Sequence, residues 1–330
     1  MFSNKHVFQV TRMRSPSHIV FLDRSTVTVP MRAPALPLQW QEHESTAPEQ
    51  IVERLQHAEV AISNKAPLMA ATLAQLPRLR LIAVAATGAN NVDLEYCRER
   101  GIAVCNVSGY STHSVAEHVF ALLLALRRQI HSYHADILAG AWQRSAHFML
   151  LSHPLNDLQG GTLGIFGYGH IGQAVARIAE AFGMKVLVAE HKNVTAIRSG
   201  RVPFEQMLAE ADVVSLHCPL TPETHNLIAG PELRRMKPTA ILLNLARGGV
   251  VDEAALAQAL REKWIAGAGV DVLTTEPPRA GNPLLEVSGP NCVITPHVAW
   301  ASQQAQARLA EEVVRNIEAF YAGESRNRIV

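Results

Sequence analysis

TLGIFGYGHIGQAVARIAEAFGMKVLVAE, residues 162–190, reads as strand, turn, helix and strand. Thr162–Phe166 is a short, branched, apolar run of the kind buried in a parallel sheet, and His170–Phe182 repeats with the period of a helix. Between them, Gly167-Tyr168-Gly169-His170-Ile171-Gly172 spaces three glycines as G-x-G-x-x-G. The first glycine allows a tight turn, the second lets backbone approach a pyrophosphate, and the third lets helix and strand pack closely. The helix N-terminus then offers unpaired N–H groups and the positive end of its dipole to phosphates. The second strand, Lys185–Ala189, runs into Glu190, 18 positions beyond Gly172, where an acidic side chain accepts hydrogen bonds from an adenosine ribose. Glycines alone would fit an ordinary strand–helix turn, but this context on both sides points to a dinucleotide. Glu190 repels a 2′-phosphate, so NAD is expected over NADP, a preference softened by His191 and Lys192.

The same alternation extends both ways. Upstream, HIVFL (18–22), EVAIS (59–63), LRLIAVAA (79–86) and GIAVCN (101–106) read as strands, with helices at Pro48–His57, Pro67–Leu76 and Asp93–Arg100. Downstream, DVVSLH (212–217), AILLNL (240–245), GAGVDV (267–272) and CVIT (292–295) alternate with helices at Phe204–Ala211, Pro231–Met236 and Asp252–Lys263. One long helix joins the blocks, from Thr112 to about Leu138, with a capping box of Ser114 and Glu117 and a stop at Gly140. A last amphipathic helix covers about Ser302–Tyr321. This is an α/β chain of two doubly wound parallel-sheet domains: a Rossmann-type nucleotide domain and a flavodoxin-like substrate domain. The nucleotide domain is placed at 112–298. The substrate domain takes 18–111 plus 299–330, and residues 1–17 form an N-terminal extension.

Composition narrows the function. A length of 330 residues suits about two domains, and a net charge of +1 gives no field for nucleic acid or an anionic membrane. The hydrophobic fraction of 48% is that of a globular chain. The four cysteines contain no C-x-x-C pair, which favours a reduced, cytoplasmic setting. The longest apolar run, Val119–Leu126, is eight residues, far short of the roughly 20 that a membrane span requires. His113, Glu117 and His118 suggest a zinc helix, but two rings five positions apart point about 140° from one another, so no metal is expected.

Three strand-end loops carry the chemistry. Asn244-Leu245-Ala246-Arg247-Gly248-Gly249 ends one strand, Asp271-Val272-Leu273-Thr274-Thr275-Glu276-Pro277 ends the next, and Thr295-Pro296-His297-Val298-Ala299-Trp300 ends the last. Loops at the carboxyl ends of parallel strands converge on one crevice, so Arg247, Glu276 and His297 can meet. A guanidinium holds a carboxylate bidentately and polarises an adjacent carbonyl. Imidazole exchanges a proton near neutral pH, and a carboxylate on its other nitrogen fixes the tautomer.

In this order the motifs closely resemble the D-2-hydroxyacid dehydrogenase family over about residues 18–322, including Gly88-x-x-Asn91-Val92-Asp93 and Ser114-Val115-Ala116-Glu117. Ala85-Ala86-Thr87-Gly88, His113–His118 and Pro296–Ser302 are most similar to glycerate dehydrogenases, also called hydroxypyruvate reductases. The resemblance implies hydride transfer between NADH and a small 2-oxo acid, with Arg247 on the substrate, His297 as proton donor and Glu276 as its partner. It also implies cofactor contacts at Ser114, Cys218, Pro219, Ala246 and Asp271, although Cys218 equally suits a plain buried cysteine. Substrate contacts are implied at Lys65, Ala86, Thr87, Gly88 and Trp300. The helix from Thr112 and the irregular segment after it resemble a homodimer interface. Rival readings within the resemblance are 3-phosphoglycerate or D-lactate dehydrogenase, and a non-enzymatic NAD-responsive protein like the C-terminal-binding-protein corepressors.

Overall fold

The structure is a computed structural model and describes residues 17–330. The N-terminal extension expected at 1–17 therefore lies outside the described residues except for Ser17. That residue belongs to the first strand and pairs with Leu38. Two compact units divide the chain: residues up to Tyr110 together with Gln303–Val330, and Ser111–Ser302.

In the first unit, β1 (Ser17–Phe21), β2 (Leu38–Glu42), β3 (Val60–Ser63), β4 (Leu81–Val84) and β5 (Ala103–Cys105) form one parallel sheet in the order β2-β1-β3-β4-β5. That is the flavodoxin-like order. Every residue of β3 and β4 is buried, which is why they read as continuous apolar runs. Strand β2 was not visible in the sequence. As an edge strand it is half exposed, and LQWQE alternates polar and apolar residues. The helices α1 (Ile51–Leu55) and α2 (Ala70–Leu73) are shorter than the periodic stretches suggested, whereas α3 (Leu94–Arg100) runs as expected. Asp93 caps α3 by accepting the Tyr96 N–H, and Gly101, with φ of +67°, ends it.

The second unit opens with α4 (Thr112–Arg127) and α5 (Ile130–Leu138). One continuous helix was expected here, but Gln129 adopts a left-handed φ of 52° and breaks it. The expected capping box is also absent. Ser114 lies inside the first turn, and its hydroxyl donates to the Ala299 carbonyl rather than to its own helix. Next come β6 (Thr162–Phe166), α6 (His170–Ala181), β7 (Lys185–Val188), α7 (Phe204–Glu210), β8 (Val213–Leu216), α8 (Gly230–Arg235), β9 (Ile241–Asn244), α9 (Glu253–Arg261), β10 (Gly267–Val270) and β11 (Cys292–Ile294). Their order is β11-β10-β9-β8-β6-β7. Beyond β7, Val202 makes a single parallel bridge to Ala189. Counted as a vestigial third strand, it restores the Rossmann order 3-2-1-4-5-6 with one further strand, and the order reverses at β6. The glycine turn sits at that reversal.

The last helix, α10 (Gln303–Ala322), belongs to the first unit. Gln306 accepts the Thr28 N–H, and Arg32 bridges Glu311 and Glu318 at 3.0 and 2.6 Å. Residues 299–302 go with the second unit, where the Ala299 N–H donates to Asp271 and the Ser302 N–H to Ser114. The four cysteines are free and buried. Among the described residues no helix is long and apolar enough to cross a membrane.

Candidate active site

Strand β11 ends at Ile294, and the chain turns sharply into Thr295-Pro296-His297. His297 has φ of +55°, which costs an L-residue energy unless its surroundings hold it. They do so through Asp271. The His297 N–H donates to the Asp271 carbonyl at 2.8 Å. One Asp271 carboxylate oxygen accepts the Val298 N–H and the Thr295 hydroxyl, and the other accepts the Ala299 N–H. Asp271 is 2% exposed, so this is a buried, saturated carboxylate. His118, from α4, completes the cluster with Nε2 at 3.0 Å from Thr295 Oγ1. With the loop fixed, His297 Nδ1 lies 2.6 Å from Glu276 Oε2, and Glu276 Oε1 accepts the Leu273 N–H. Nδ1 therefore carries the partner that sets the tautomer, and Nε2 has no protein partner among the described residues. Both side chains remain about a third accessible.

Arg247 arrives from the end of β9. Its Nη1 donates to the Ala246 carbonyl, and the rest of the fork makes no side-chain bond among the described residues. The next residue explains how its loop packs. A Cβ on Gly248 would lie 2.0 Å from the Leu273 carbonyl oxygen, so the Arg247 loop rests backbone to backbone on the loop that holds Glu276. A cavity of about 410 Å³ beside this pair is lined by Asp271, Glu276, Thr295 and His297, but not by Arg247.

The glycine turn has its own logic. A Cβ on Gly167, φ +94°, would lie 2.5 Å from the His217 carbonyl carbon, and one on Gly172 would lie 2.2 Å from the Gly167 oxygen. Both glycines are required by the protein itself. Gly169 is different: a Cβ there would meet nothing within 4 Å. Nothing in the fold demands that glycine, and its open face suits a pyrophosphate approaching the first N–H groups of α6. Tyr168 and His170 are exposed beside it, and Ile171 packs partly against the core. At the end of β7 the Glu190 carboxylate is buried. Hydrogen bonds from Arg198, followed by the His191 N–H, hold it far below the usual carboxylate range. The residues present therefore fit a dinucleotide.

Residues 120–299 match the family described as D-isomer specific 2-hydroxyacid dehydrogenase, NAD binding domain. The chain belongs to the D-isomer specific 2-hydroxyacid dehydrogenases. It is 48% identical over 310 residues to a glycerate dehydrogenase of Methylorubrum extorquens, covering 94% of this chain and 98% of that one. To a hydroxypyruvate reductase of Blautia hydrogenotrophica it is 37% identical, covering 83% and 86%. Among solved structures, the TT0316 protein of Thermus thermophilus superposes with a TM-score of 0.82 at 37% identity, covering 95% and 100%. The protein is thus an NAD-dependent oxidoreductase acting on the CH–OH group of 2-hydroxy acids.

Within this dehydrogenase several sequence-singled residues serve the scaffold. The Ser114 hydroxyl is spent on Ala299 and Ser302, tying α4 to the far end of the His297 loop. Cys218 is packed in the core, and burial pushes its thiol up to about 11, which suits packing rather than reactivity. Pro219 accepts the Thr224 hydroxyl at its carbonyl, and the Ala246 N–H donates to Asn244. Trp300 packs against the core beside Ala299. In the first unit, the Thr87 hydroxyl donates to the Val107 carbonyl, with Ala86 partly buried before it and Gly88 after. Lys65 is exposed, with its backbone fixed by Asp23.

Asp23 is the residue that sequence reading missed. Its carboxylate accepts the N–H groups of Asn64, Lys65 and Ala66 at 2.5–3.1 Å and is buried. The signal was an acidic residue directly after the apolar strand HIVFL.

Proposed function

We propose that this dehydrogenase reduces hydroxypyruvate to D-glycerate with NADH, and glyoxylate to glycolate as a second reaction. The observation that carries the chemistry is the His297–Glu276 pair at 2.6 Å, with the remaining imidazole nitrogen unpaired among the described residues. When bound, the reduced cofactor supplies hydride to the carbonyl carbon. Arg247 holds the substrate carboxylate through its fork and polarises the adjacent carbonyl. His297 donates a proton from Nε2 to the carbonyl oxygen, while Glu276 keeps the ring oriented through Nδ1. In the oxidative direction His297 accepts that proton. Gly167, Tyr168, Gly169, His170, Ile171 and Gly172 hold the pyrophosphate end, and Glu190 the adenosine ribose. Ser114, Cys218, Pro219, Ala246 and Asp271 line the remaining length of the cofactor. Lys65, Ala86, Thr87, Gly88 and Trp300 contribute to recognition of the acid. The substrate choice is supported by the similarity to a glycerate dehydrogenase and a hydroxypyruvate reductase.

We further infer a cytoplasmic homodimer. Ile130, Leu138, Trp142, Phe148 and Leu151 are each more than half exposed within one segment, an apolar surface that a second copy would cover. The test of function is oxidation of NADH followed at 340 nm with hydroxypyruvate, glyoxylate, pyruvate and 3-phosphohydroxypyruvate. Fastest turnover is expected with hydroxypyruvate. Preference for another acid would replace the substrate assignment alone, and binding of NADH with no turnover of any would replace the enzyme by a sensor.

A further inference from the structure

The strands of the first sheet start at the edge opposite Asp23 and Asn64–Ala66, and that edge carries a row of polar side chains. His18 pairs in register with Gln39. The Glu59 N–H donates to the His18 carbonyl at 2.9 Å, and the Arg80 N–H to the Glu59 carbonyl at 2.8 Å. Residues level with one another on adjacent strands point to the same face, about 4.8 Å apart. Gln39, His18, Glu59 and Arg80 therefore stand side by side across β2, β1, β3 and β4. The turns before β3 and β4 bring His57 and Arg78 to this edge, and all six residues line one cavity of about 810 Å³.

The charges in this cavity do not balance. Glu59 is the one acid among the lining residues, and it is already partnered. Arg80 Nη1 stands 3.6 Å from its Oε2, and the Tyr321 hydroxyl of α10 donates to the same oxygen at 3.3 Å. Two arginines against one glutamate leave a formal charge of +1 before either imidazole takes a proton. Residues 1–16, which lead into β1, carry Lys5, Arg12 and Arg14 and no acid. The side chains of His18, Gln39, His57 and Arg78 make no hydrogen bond or ion pair among the described residues. By contrast, Arg24, Arg32 and Arg54 of the same unit are spent on Glu42, on Glu311 and Glu318, and on the Ser45 carbonyl. A neutral or charged imidazole offers at least one ring N–H, and a guanidinium offers a fork that matches the oxygens of a phosphate.

We propose that this cavity is an anion site for a phosphate group, either inorganic phosphate or the phosphate of a small monoester, held by Arg78, His57 and His18. Gln39 donates to a further oxygen, while Arg80 stays on Glu59. The site uses none of the residues assigned to the reaction or to the cofactor, so it stands apart from that reading. Calorimetry with inorganic phosphate and with 3-phosphoglycerate, at an ionic strength fixed with sodium chloride, tests it on the wild type, R78A and H57A. Both side chains are exposed, so neither variant should disturb the fold. One anion per chain is expected to bind with a dissociation constant of about 1 mM or below. R78A should weaken it about tenfold, the effect of losing one charge-assisted hydrogen bond, and H57A at least threefold. The NADH dissociation constant and kcat should change less than twofold in both variants. Binding of both probes, weakened by R78A, upholds the proposal and assigns the site to the phosphoryl group. Binding of the ester alone, weakened in the same way, upholds it for an organic phosphate. Binding that R78A leaves unchanged, or no binding of either probe, overturns it.

Discussion

In each unit a buried aspartate follows one parallel strand and gathers backbone N–H groups from the loop after the neighbouring strand. Asp23 follows β1 and holds Asn64–Ala66 beyond β3, and Asp271 follows β10 and holds Val298 and Ala299 beyond β11. The clamp is the same, and what it holds is not. None of residues 64–66 has a positive φ, whereas His297 sits at +55°. The second clamp therefore sustains a costly backbone conformation that aims an imidazole, while the first only orders a loop. A second contrast lies at the first strand of each sheet. β6 leads into three glycines, while β1 leads into Asp23 and Arg24, which close a short 3-10 turn and leave no phosphate cradle. Two sheets of similar winding thus acquire different duties from what sits at their strand ends.

The contrast can be broken experimentally. The largest effect is expected from His297→Ala, with kcat lower by a factor on the order of 10²–10⁴ and the NADH dissociation constant unchanged. Steady-state rates and calorimetry check this together, and loss of NADH binding with chemistry intact would remove the proton-donor role. Next come the two clamps. Asp271→Ala leaves three donors without their acceptor, the Ala299 N–H among them buried, and should cost about 1–3 kcal/mol in urea unfolding, together with a fall in kcat. Asp23→Ala should cost a similar stability but raise KM for the 2-oxo acid with NADH affinity intact. If Asp23→Ala weakens NADH instead, the two clamps do not have separate duties.

The glycines sharpen the comparison at smaller scale. Gly172→Ala drives a methyl against the Gly167 oxygen and should destabilise the fold by about 1–3 kcal/mol. Gly169→Ala meets only open space, so thermal melting should stay near wild type while NADH binding weakens. Equal destabilisation by both would remove the argument for a pyrophosphate at Gly169. The smallest effect concerns His217, beneath the glycine turn with Nε2 2.9 Å from the Ser215 hydroxyl. Burial pushes its imidazole down to about 4 from 6.5. The unfolded chain then binds the proton first, so stability declines as pH falls through 6.5 and levels off near 4, by roughly 2 kcal/mol at pH 5. His217→Gln should flatten that slope in melting temperatures recorded from pH 7 to 4, and an unchanged slope would show that other groups set it.

Most of the candidate site was legible because its signals are local. Strand–turn–helix periodicity, three glycines at fixed spacing and polar residues at strand ends are properties of short segments, and sheet topology carries those ends to one edge. Strand β2 escaped because an edge strand keeps one face in water and needs no apolar run. The break at Gln129 escaped because its neighbours retain helical periodicity while one residue turns left-handed. Ser114 was read as a helix cap, since that spacing is also a local signal. Its actual partner, Ala299, is 185 residues away.

By itself the sequence determined the doubly wound α/β class of both sheets, the three-glycine turn at the end of β6, and the candidates Arg247, Glu276 and His297. Backbone freedom and apolar period are written within a few residues of where they act. Tertiary structure alone decided which polar groups spend their hydrogen bonds on one another: Asp271 on the His297 loop, Asp23 on the Lys65 loop and Arg198 on Glu190. Each of these partnerships depends on which strand ends and loops lie side by side, and sheet order and loop packing set that rather than local spacing.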